Sequence, residues 1–494
     1  MTISTIFLIL MYIFNITSVI SIVFIRRDDT GVTLAWLLVF IFLPYIGLVL
    51  YFFFGSTYKM RRMSKKFGMT EIEELYSKNL DDQLEKILSD KIQFYDLETE
   101  KYRDMIIMNT KNAMSYYTEN NTVELLTSAE EKFSRMFEDI KKATKKIDVL
   151  YFIFKTKDNI GKEFLSLLIS KLNEGVEVNI IYDSLGCLKT RLKDFKKFKK
   201  SGGRVYKYLP NNISSFFNIN YRMHRKMVII DEKVAYTGGI NVGDEYFGLK
   251  KINKPWRDTS IRLTGNSVLS LEIRFLADLV FLQNQTWHNF HKNKFDYEAA
   301  IQKKLSMPIN TNGNVGIQIL SSGPNSEYEM IKDAYIKMIT SSKKYIYIQS
   351  PYFVPDRTIL DSLRLAAKAG VDVRIMLPGI PDKRYVYYVT LSYLEQLLSY
   401  GIKVYLHSGF IHAKTIVMDD HVSTIGTTNM DIRSFKLDYE VNAVIYNTNF
   451  AYICRDTFLN DINDCRVLDF YSYSKRSLWT KFCESVCRFI SPLA

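Results

Sequence analysis

Two octads in this chain carry the same set of reactive side chains. His224 to Asp231 reads HRKMVIID and His412 to Asp419 reads HAKTIVMD, so both have the skeleton H-x-K-x-x-x-x-D, 188 residues apart. Seven residues past each Asp comes a glycine (Gly238, Gly426), and three beyond that an asparagine (Asn241, Asn429). An imidazole beside an ammonium suits a phosphate: the lysine binds oxygens while the imidazole attacks phosphorus or carries a proton. One copy would only bind. Two copies facing each other across a phosphorus give one imidazole to attack and one to protonate the departing oxygen. Asn241 and Asn429 could donate to the same oxygens, and Lys226 and Lys414 could stabilise the charge that Mg²⁺ stabilises elsewhere. No metal and no cofactor is therefore expected. The other histidines (His288, His291, His407, His421) lack this context and read as structural.

The elements that position these groups follow from local pattern. Both octads are rich in Val and Ile, so each reads as a strand running into a turn at its Asp, with His and Lys at i and i+2 on one face. The chain then returns through VAYTGGIN and VSTIGTTN, whose small residues allow close backbone approach to a ligand. The octads sit in a repeated frame. KKIDVLYFIF (145–154), a helix closed by Gly175 and VEVNIIYD are matched by KKYIYIQSPYF (343–353), a helix closed by Gly370 and VDVRIMLP. GGRVYKY (202–208) is likewise echoed by GIKVYLH (401–407). Apolar strands alternating with helices predict an α/β fold, a parallel or mixed sheet covered by helices. Residues 121–295 and 315–494 are expected to be homologous halves related by a pseudo-twofold, joined by a linker at 296–314, with 59–120 a helical connector.

Bulk properties narrow the partners. At 494 residues, 47% hydrophobic and 24% charged, the chain is an ordinary globular protein with room for a large core. A net charge of +13 favours an anionic partner, either nucleic acid or an acidic membrane. Five cysteines without ligand spacing argue against a disulfide framework or zinc site. The N-terminus favours the membrane: residues 3–25 and 32–55 are uncharged, each long enough to span, and joined by RRDDTG. Residues 1–58 are thus expected to form a transmembrane hairpin. The basic flank Lys59, Arg61, Arg62, Lys65 and Lys66 outnumbers Arg26 and Arg27 of the loop, which predicts a cell-membrane protein with a cytoplasmic C-terminal body. Anionic lipids, rather than nucleic acid, are the expected partners; no oligomeric state follows from the sequence.

Three further stretches are ambiguous in function. LKTRLKDFKKFKK (188–200) has the spacing of a basic amphipathic helix, suited either to an anionic leaflet or to docking on the sheet. Phe216 and Phe217 precede His224 and suit a lipid path or a loop anchor. Trp256-Arg257-Asp258 suits a site floor, a second headgroup or simple packing.

The chain resembles the phospholipase D superfamily, whose signature is this pair of His-Lys-Asp motifs, and within it the bacterial cardiolipin synthases. The resemblance is carried by RRDDTGVTLAWLLVFIFLPYIGLVLYFFFG, NYRMHRKMVIID, GGINVGDEY, PWRDTSIRLTG, YIQSPYFVPD, HAKTIVMD, GTTNMDIRSF and the terminal SPLA, spanning nearly the whole chain. LDYE (437–440) departs from it, with Asp438 where asparagine is expected. The resemblance implies duplicated phospholipase D-like domains with one active site between them and a phosphohistidine intermediate. His224 would be the nucleophile, His412 the acid and base, and Lys226 and Lys414 the phosphate holders. Asn241 and Asn429 would assist binding, Asp231 and Asp419 would be structural or orienting members of the catalytic motifs, and Glu245 and Glu440 would orient the histidines. The implied reaction transfers a phosphatidyl group from one phosphatidylglycerol to another, giving cardiolipin and glycerol. A hydrolase releasing phosphatidic acid shares every one of these residues, and a nuclease-type phosphodiesterase uses the same device.

Overall fold

The computed structural model describes residues 80–208, 220–249, 255–283, 313–488 and 491, with residues 30–43 and isolated positions among the first 47. Most of both apolar N-terminal runs, Phe216 and Phe217, His288 and His291 lie outside the described residues. Among the described residues no helix is long and apolar enough to cross a membrane; the helix Thr30–Phe42 has 13 residues.

The first half contributes β1 (Tyr117–Leu126), β2 (Lys146–Tyr151), β3 (Glu177–Asp183), β4 (Arg204–Tyr208), β5 (Arg222–Met223), β6 (Met227–Ile230), β7 (Val234–Gly238) and β8 (Ser260–Gly265). The second contributes β9 (Val315–Ser322), β10 (Tyr345–Gln349), β11 (Phe353–Val354), β12 (Asp372–Pro378), β13 (Lys403–His407), β14 (Thr415–Met418), β15 (Val422–Gly426), β16 (Met430–Asp431), β17 (Asp438–Tyr446) and β18 (Cys465–Val467). Among the described residues, one sheet runs β4-β3-β2-β6-β7-β8-β1 and continues, through the antiparallel pair β1–β9, into β9-β17-β15-β14-β10-β12-β13-β18. Apart from the edge strand β18, the order of the second half mirrors that of the first. The pseudo-twofold therefore passes between β1 and β9.

Within each half, β2-β3-β4 and β10-β12-β13 are parallel, and the octad strands β6 and β14 join them antiparallel. The crossovers explain themselves in sequence. Asn159–Asn173 buries Ile160, Phe164, Leu165 and Leu168 on one stripe, and Gly175 ends it at φ 90°. Its counterpart Arg357–Lys368 starts where the Asp356 side chain accepts from Ile359 N (3.1 Å) and ends before Gly370 at φ 94°.

Residues 80–113, within the expected helical connector, supply Ile87, Tyr102, Met105 and Ile106 to the core of the second half. The histidine His421 is tied into this region, its ring stacked on Tyr102 at 5.3 Å and bonded to Thr99 (3.0 Å) and Thr448 (2.9 Å). The basic stretch 188–200 is helical only from Leu192, as a 3-10 turn followed by Lys196–Lys200. Phe195 and Phe198 are fully buried in the first-half core, so this segment docks on the sheet and turns its lysines outward.

Candidate functional site

The octads are not strands throughout. Regular pairing covers only Met227–Ile230 and Thr415–Met418, because the preceding His-x-Lys segments are occupied by contacts from the opposite half. His224 N donates to Tyr439 O (3.0 Å), next to the parallel pairing of β5 with β17. His412 N donates to Arg257 O (2.7 Å), beside the parallel bridge between Arg257 and Ile411. Each lysine then folds back onto its histidine's carbonyl: Lys226 Nζ donates to His224 O (2.7 Å), and Lys414 Nζ to His412 O.

The imidazoles are oriented across the twofold. Glu440, from the second half, meets His224 Nδ1 at 2.7 Å; Asp258, from the first, meets His412 Nδ1 at 2.7 Å. These two carboxylates are structural equivalents. β7 pairs with β8 so that Gly238 faces Ser260, and β15 pairs with β17 so that Gly426 faces Asn442. Asp258 and Glu440 each stand two residues before those partners. Glu245, expected beside a histidine, instead pairs with Lys155, and the role expected of it falls to Asp258. The signal that finds Asp258 is strand register, not spacing from the octad.

The surroundings link both copies. Asn241 Oδ1 accepts from Ile153 N (3.2 Å) and its amide donates to Tyr246 Oη (2.8 Å), which lies 3.4 Å from His412 Nδ1. Asn429 is buried, and its Oδ1 has no hydrogen-bond partner among the described residues. The Phe152 ring lies edge-on to His224 at 4.9 Å and under Lys226 Nζ at 5.6 Å. Trp256 packs on His412 at 5.7 Å, a wall of the site rather than a distant anchor.

Burial sets the charge states. His224 is driven well below the ordinary imidazole range by desolvation and then by Lys226 and Lys414. His412 is lowered to about 4 by desolvation and Lys414, against Asp258. Desolvation also lowers Lys226 to about 7 and Lys414 to about 8. Each imidazole thus feels both ammonium groups, and all four cations are disfavoured until an anion arrives. Glu440 is pushed to about 7 by burial, with Lys226 pulling it back. Asp438 is also pushed to about 7 by burial, against Arg433, and among the described residues its Oδ1 is without a hydrogen-bond partner. A carboxyl that keeps its proton near neutrality can donate as an asparagine amide does, which reconciles Asp438 with the position it occupies.

The sequence offered no metal-ligand spacing, yet the fold assembles His224, Asp438 and Glu440 with one ligand atom each within 4.8 Å of one another. Lys226, Lys414 and Arg433 share their surroundings, and His224 Nδ1 is committed to Glu440. A metal ion at this position would compete with those basic side chains.

Asp231 and Asp419 stand apart from the cluster. Both lie in left-handed turns, at φ 52° and 50°, and cap the opposing strand. Asp231 accepts from Thr144, Lys145 and Lys146 N (2.8, 2.8 and 2.9 Å); Asp419 accepts from Lys343, Lys344 and Tyr345 N (2.6, 2.8 and 3.0 Å). Desolvation opposes ionisation of Asp231, but the donors from Lys146, Thr144 and Lys145 outweigh it and hold the carboxyl below its ordinary range. Its contribution is complete above pH ~4, the unfolded value, and is lost as pH falls through the depressed folded one. Asp231→Ala is expected to cost about 2–3 kcal/mol of stability, read as a lower unfolding midpoint, with activity per folded molecule unchanged.

A mirrored sheet with one two-imidazole, two-lysine cluster at its seam defines a duplicated phospholipase D-type protein. The family model described as cardiolipin synthase, PLD-like domain, matches residues 136–253 and 335–462, and that of the phospholipase D-nuclease N-terminal region matches 13–56. The chain is 42% identical to the major cardiolipin synthase ClsA of Bacillus subtilis, over 100% of both chains. It is 40% identical to a cardiolipin synthase of Listeria monocytogenes, over 98% of both. In fold it is similar to phosphatidylserine synthase of Haemophilus influenzae, with a TM-score of 0.59 and 16% identity, over 79% of this chain and 100% of that one. The chain belongs to the cardiolipin synthases.

Proposed function

We propose that the protein exchanges one phosphatidylglycerol phosphodiester for another at this cluster, releasing glycerol and forming cardiolipin. The observation that carries the reading is the reciprocal orientation of two buried imidazoles by carboxylates of the opposite halves, with the charges of two buried lysines acting on both. Carboxylate Glu440 keeps the proton on His224 Nδ1, leaving Nε2 with its lone pair for phosphorus. Asp258 and the incoming phosphodiester favour the imidazolium of His412, which protonates the departing glycerol oxygen. The P–O bond to that glycerol breaks as the P–N bond to His224 forms. Neutral His412 then takes the proton from a hydroxyl of the second phosphatidylglycerol, whose oxygen displaces His224. Lys226, Lys414, Asn241 and Asn429 hold the non-bridging oxygens. No net energy source is needed, because each step exchanges one phosphoryl linkage for another. The apolar N-terminal hairpin would keep the body at a cytoplasmic membrane face, where both substrates reside.

The test is product analysis. Full-length protein in vesicles containing phosphatidylglycerol labelled in headgroup and acyl chain, with chelator present, is expected to yield cardiolipin and glycerol in equal amounts. Phosphatidic acid as the main product would make the acceptor water and the protein a hydrolase.

The charge states predict a bell-shaped dependence of kcat/KM on pH, centred near neutrality. The acid limb follows ionisation of Glu440, and the alkaline limb follows loss of protons from Lys226 and Lys414, as coupled titrations. The charge of ionised Asp438 helps Lys226 keep its proton, so Asp438→Asn is expected to move the alkaline limb to lower pH while changing activity at pH 6 less than about threefold. An unmoved limb would remove Asp438 from this account.

A further inference from the structure

The C-terminal helix Leu478–Arg488 is amphipathic in the opposite sense to a helix that covers a core. At 100° per residue, Leu478, Trp479, Phe482 and Val486 share an arc of about 100°, and they are 85, 71, 58 and 49% exposed. The Trp479 and Phe482 rings stack at 5.6 Å. The inward face instead carries Glu484, buried and bridged to Arg476 (2.7 Å), which also binds Glu395 (2.5 Å). The helix thus hides its one carboxylate and displays its apolar stripe. Lys481 and Arg488 border one side of that stripe on the same helical projection. The preceding short helix Phe470–Ser474 adds exposed Phe470 and Tyr471, with the Lys475 ammonium 3.6 Å from the Tyr471 ring centroid.

Both helices rest on the helix Arg384–Ser399. Tyr473 Oη donates to Leu391 O (2.8 Å), and the Arg488 guanidinium stacks on Tyr393 at 4.3 Å. That supporting helix begins just after Asp382 and Lys383. Asp382 accepts from Tyr352 Oη (2.6 Å), and the charge of Lys383 is felt at His224. The apolar stripe therefore hangs from an element that starts at the margin of the two-imidazole cluster.

We infer that Leu478–Arg488 is an interfacial docking helix that seats the catalytic body on an anionic bilayer, with Trp479 and Phe482 entering the boundary between headgroups and acyl chains. A row of Trp, Phe, Leu and Val bordered by lysine and arginine, with its only acid withdrawn, complements that interface in both polarity and charge. The inference deepens the proposed function and rests on it for the lipid substrate. It brings the site to its substrates independently of any membrane-spanning segment.

Full-length protein is placed in mixed phosphatidylcholine–phosphatidylglycerol vesicles, and the emission lost on Trp479→Phe is assigned to Trp479. That emission is expected to be quenched by bromine carried on the acyl chains and shielded from aqueous iodide. Quenching by iodide alone would put the stripe in water. Quenching by neither would mean that a second copy, or another segment of this chain, covers it. Either result overturns the inference. In a second arm, Trp479→Glu/Phe482→Glu is expected to lower turnover of vesicle phosphatidylglycerol about tenfold, mainly through KM, while turnover of short-chain phosphatidylglycerol dissolved as monomers stays unchanged. Equal loss on both substrates would overturn docking in favour of a folding role. Wild-type protein inactive on both would count against the transferase reading, with the quenching arm still deciding the helix.

Discussion

His224→Ala is expected to abolish phosphatidylglycerol turnover, by at least ~10⁴-fold or about 5.5 kcal/mol of barrier, with the fold intact. Apart from its counterpart His412, no other described histidine is free to take its place: His421 is committed to Thr99 and Thr448, and His407 Nδ1 accepts from Gly409 N at 3.0 Å. His412→Ala is expected to lose a comparable factor for a different reason, since glycerol then leaves as an unprotonated alkoxide. Because the pair works as a unit, the double variant should be no worse than either single one. Steady-state rates of the three variants check this, with circular dichroism confirming that they fold. Independent, multiplying losses would mean that the histidines do not share one phosphorus.

Asp258→Asn and Glu440→Gln are expected to cost about 10²–10³ in kcat, because each removes the group that fixes an imidazole's tautomer. The two should differ in pH behaviour. Asp258 raises the pKa values of Lys414 and Lys226, so its loss is expected to move the alkaline limb of kcat/KM to more acidic pH. Glu440→Gln removes the group assigned to the acid limb of kcat/KM. Glu245→Gln is the control. It unpairs Lys155 rather than an imidazole, and activity is expected to change less than about threefold. A large catalytic loss at Glu245 with none at Asp258 would reverse the assignment of the orienting acids.

Much of this site is legible in the chain because its parts are local. The spacing of His, Lys, Asp, Gly and Asn survives as text, and duplication makes it visible twice. The turn at each Asp was legible too, though its purpose, capping the neighbouring strand's N–H groups, needs the sheet. Asp258 was not found as a partner because its link to His412 depends on the register of β7 with β8 and on contact between halves 154 residues apart in sequence. Glu440 came from resemblance, and pairing it with Glu245 failed for the same reason: the two do not occupy equivalent register positions. The Asp438 cluster joins β17, which carries Asp438 and Glu440, to His224 in the segment between β5 and β6 of the other half. Residues 80–113 show the limit of polarity as a guide, since alternating charges on their outer faces mask a buried stripe. The C-terminal helix is amphipathic in sequence as well, but which face points outward is decided by Glu484 finding Arg476.

The central claim is a phosphatidyl group carried on His224 between two lipids. The most direct measurement is to mix the His412→Asn variant, in vesicles, with phosphorus-labelled phosphatidylglycerol, quench, and map labelled peptides by mass spectrometry. Even with departure of glycerol slowed, label is expected to accumulate on the peptide containing His224 as an acid-labile phosphoramidate, and to be absent when His224→Ala is added. Label on the peptide containing residue 412 in wild-type protein, with none at His224, would exchange the two roles. Cardiolipin formation with no protein-bound label at either position would contradict the covalent mechanism itself.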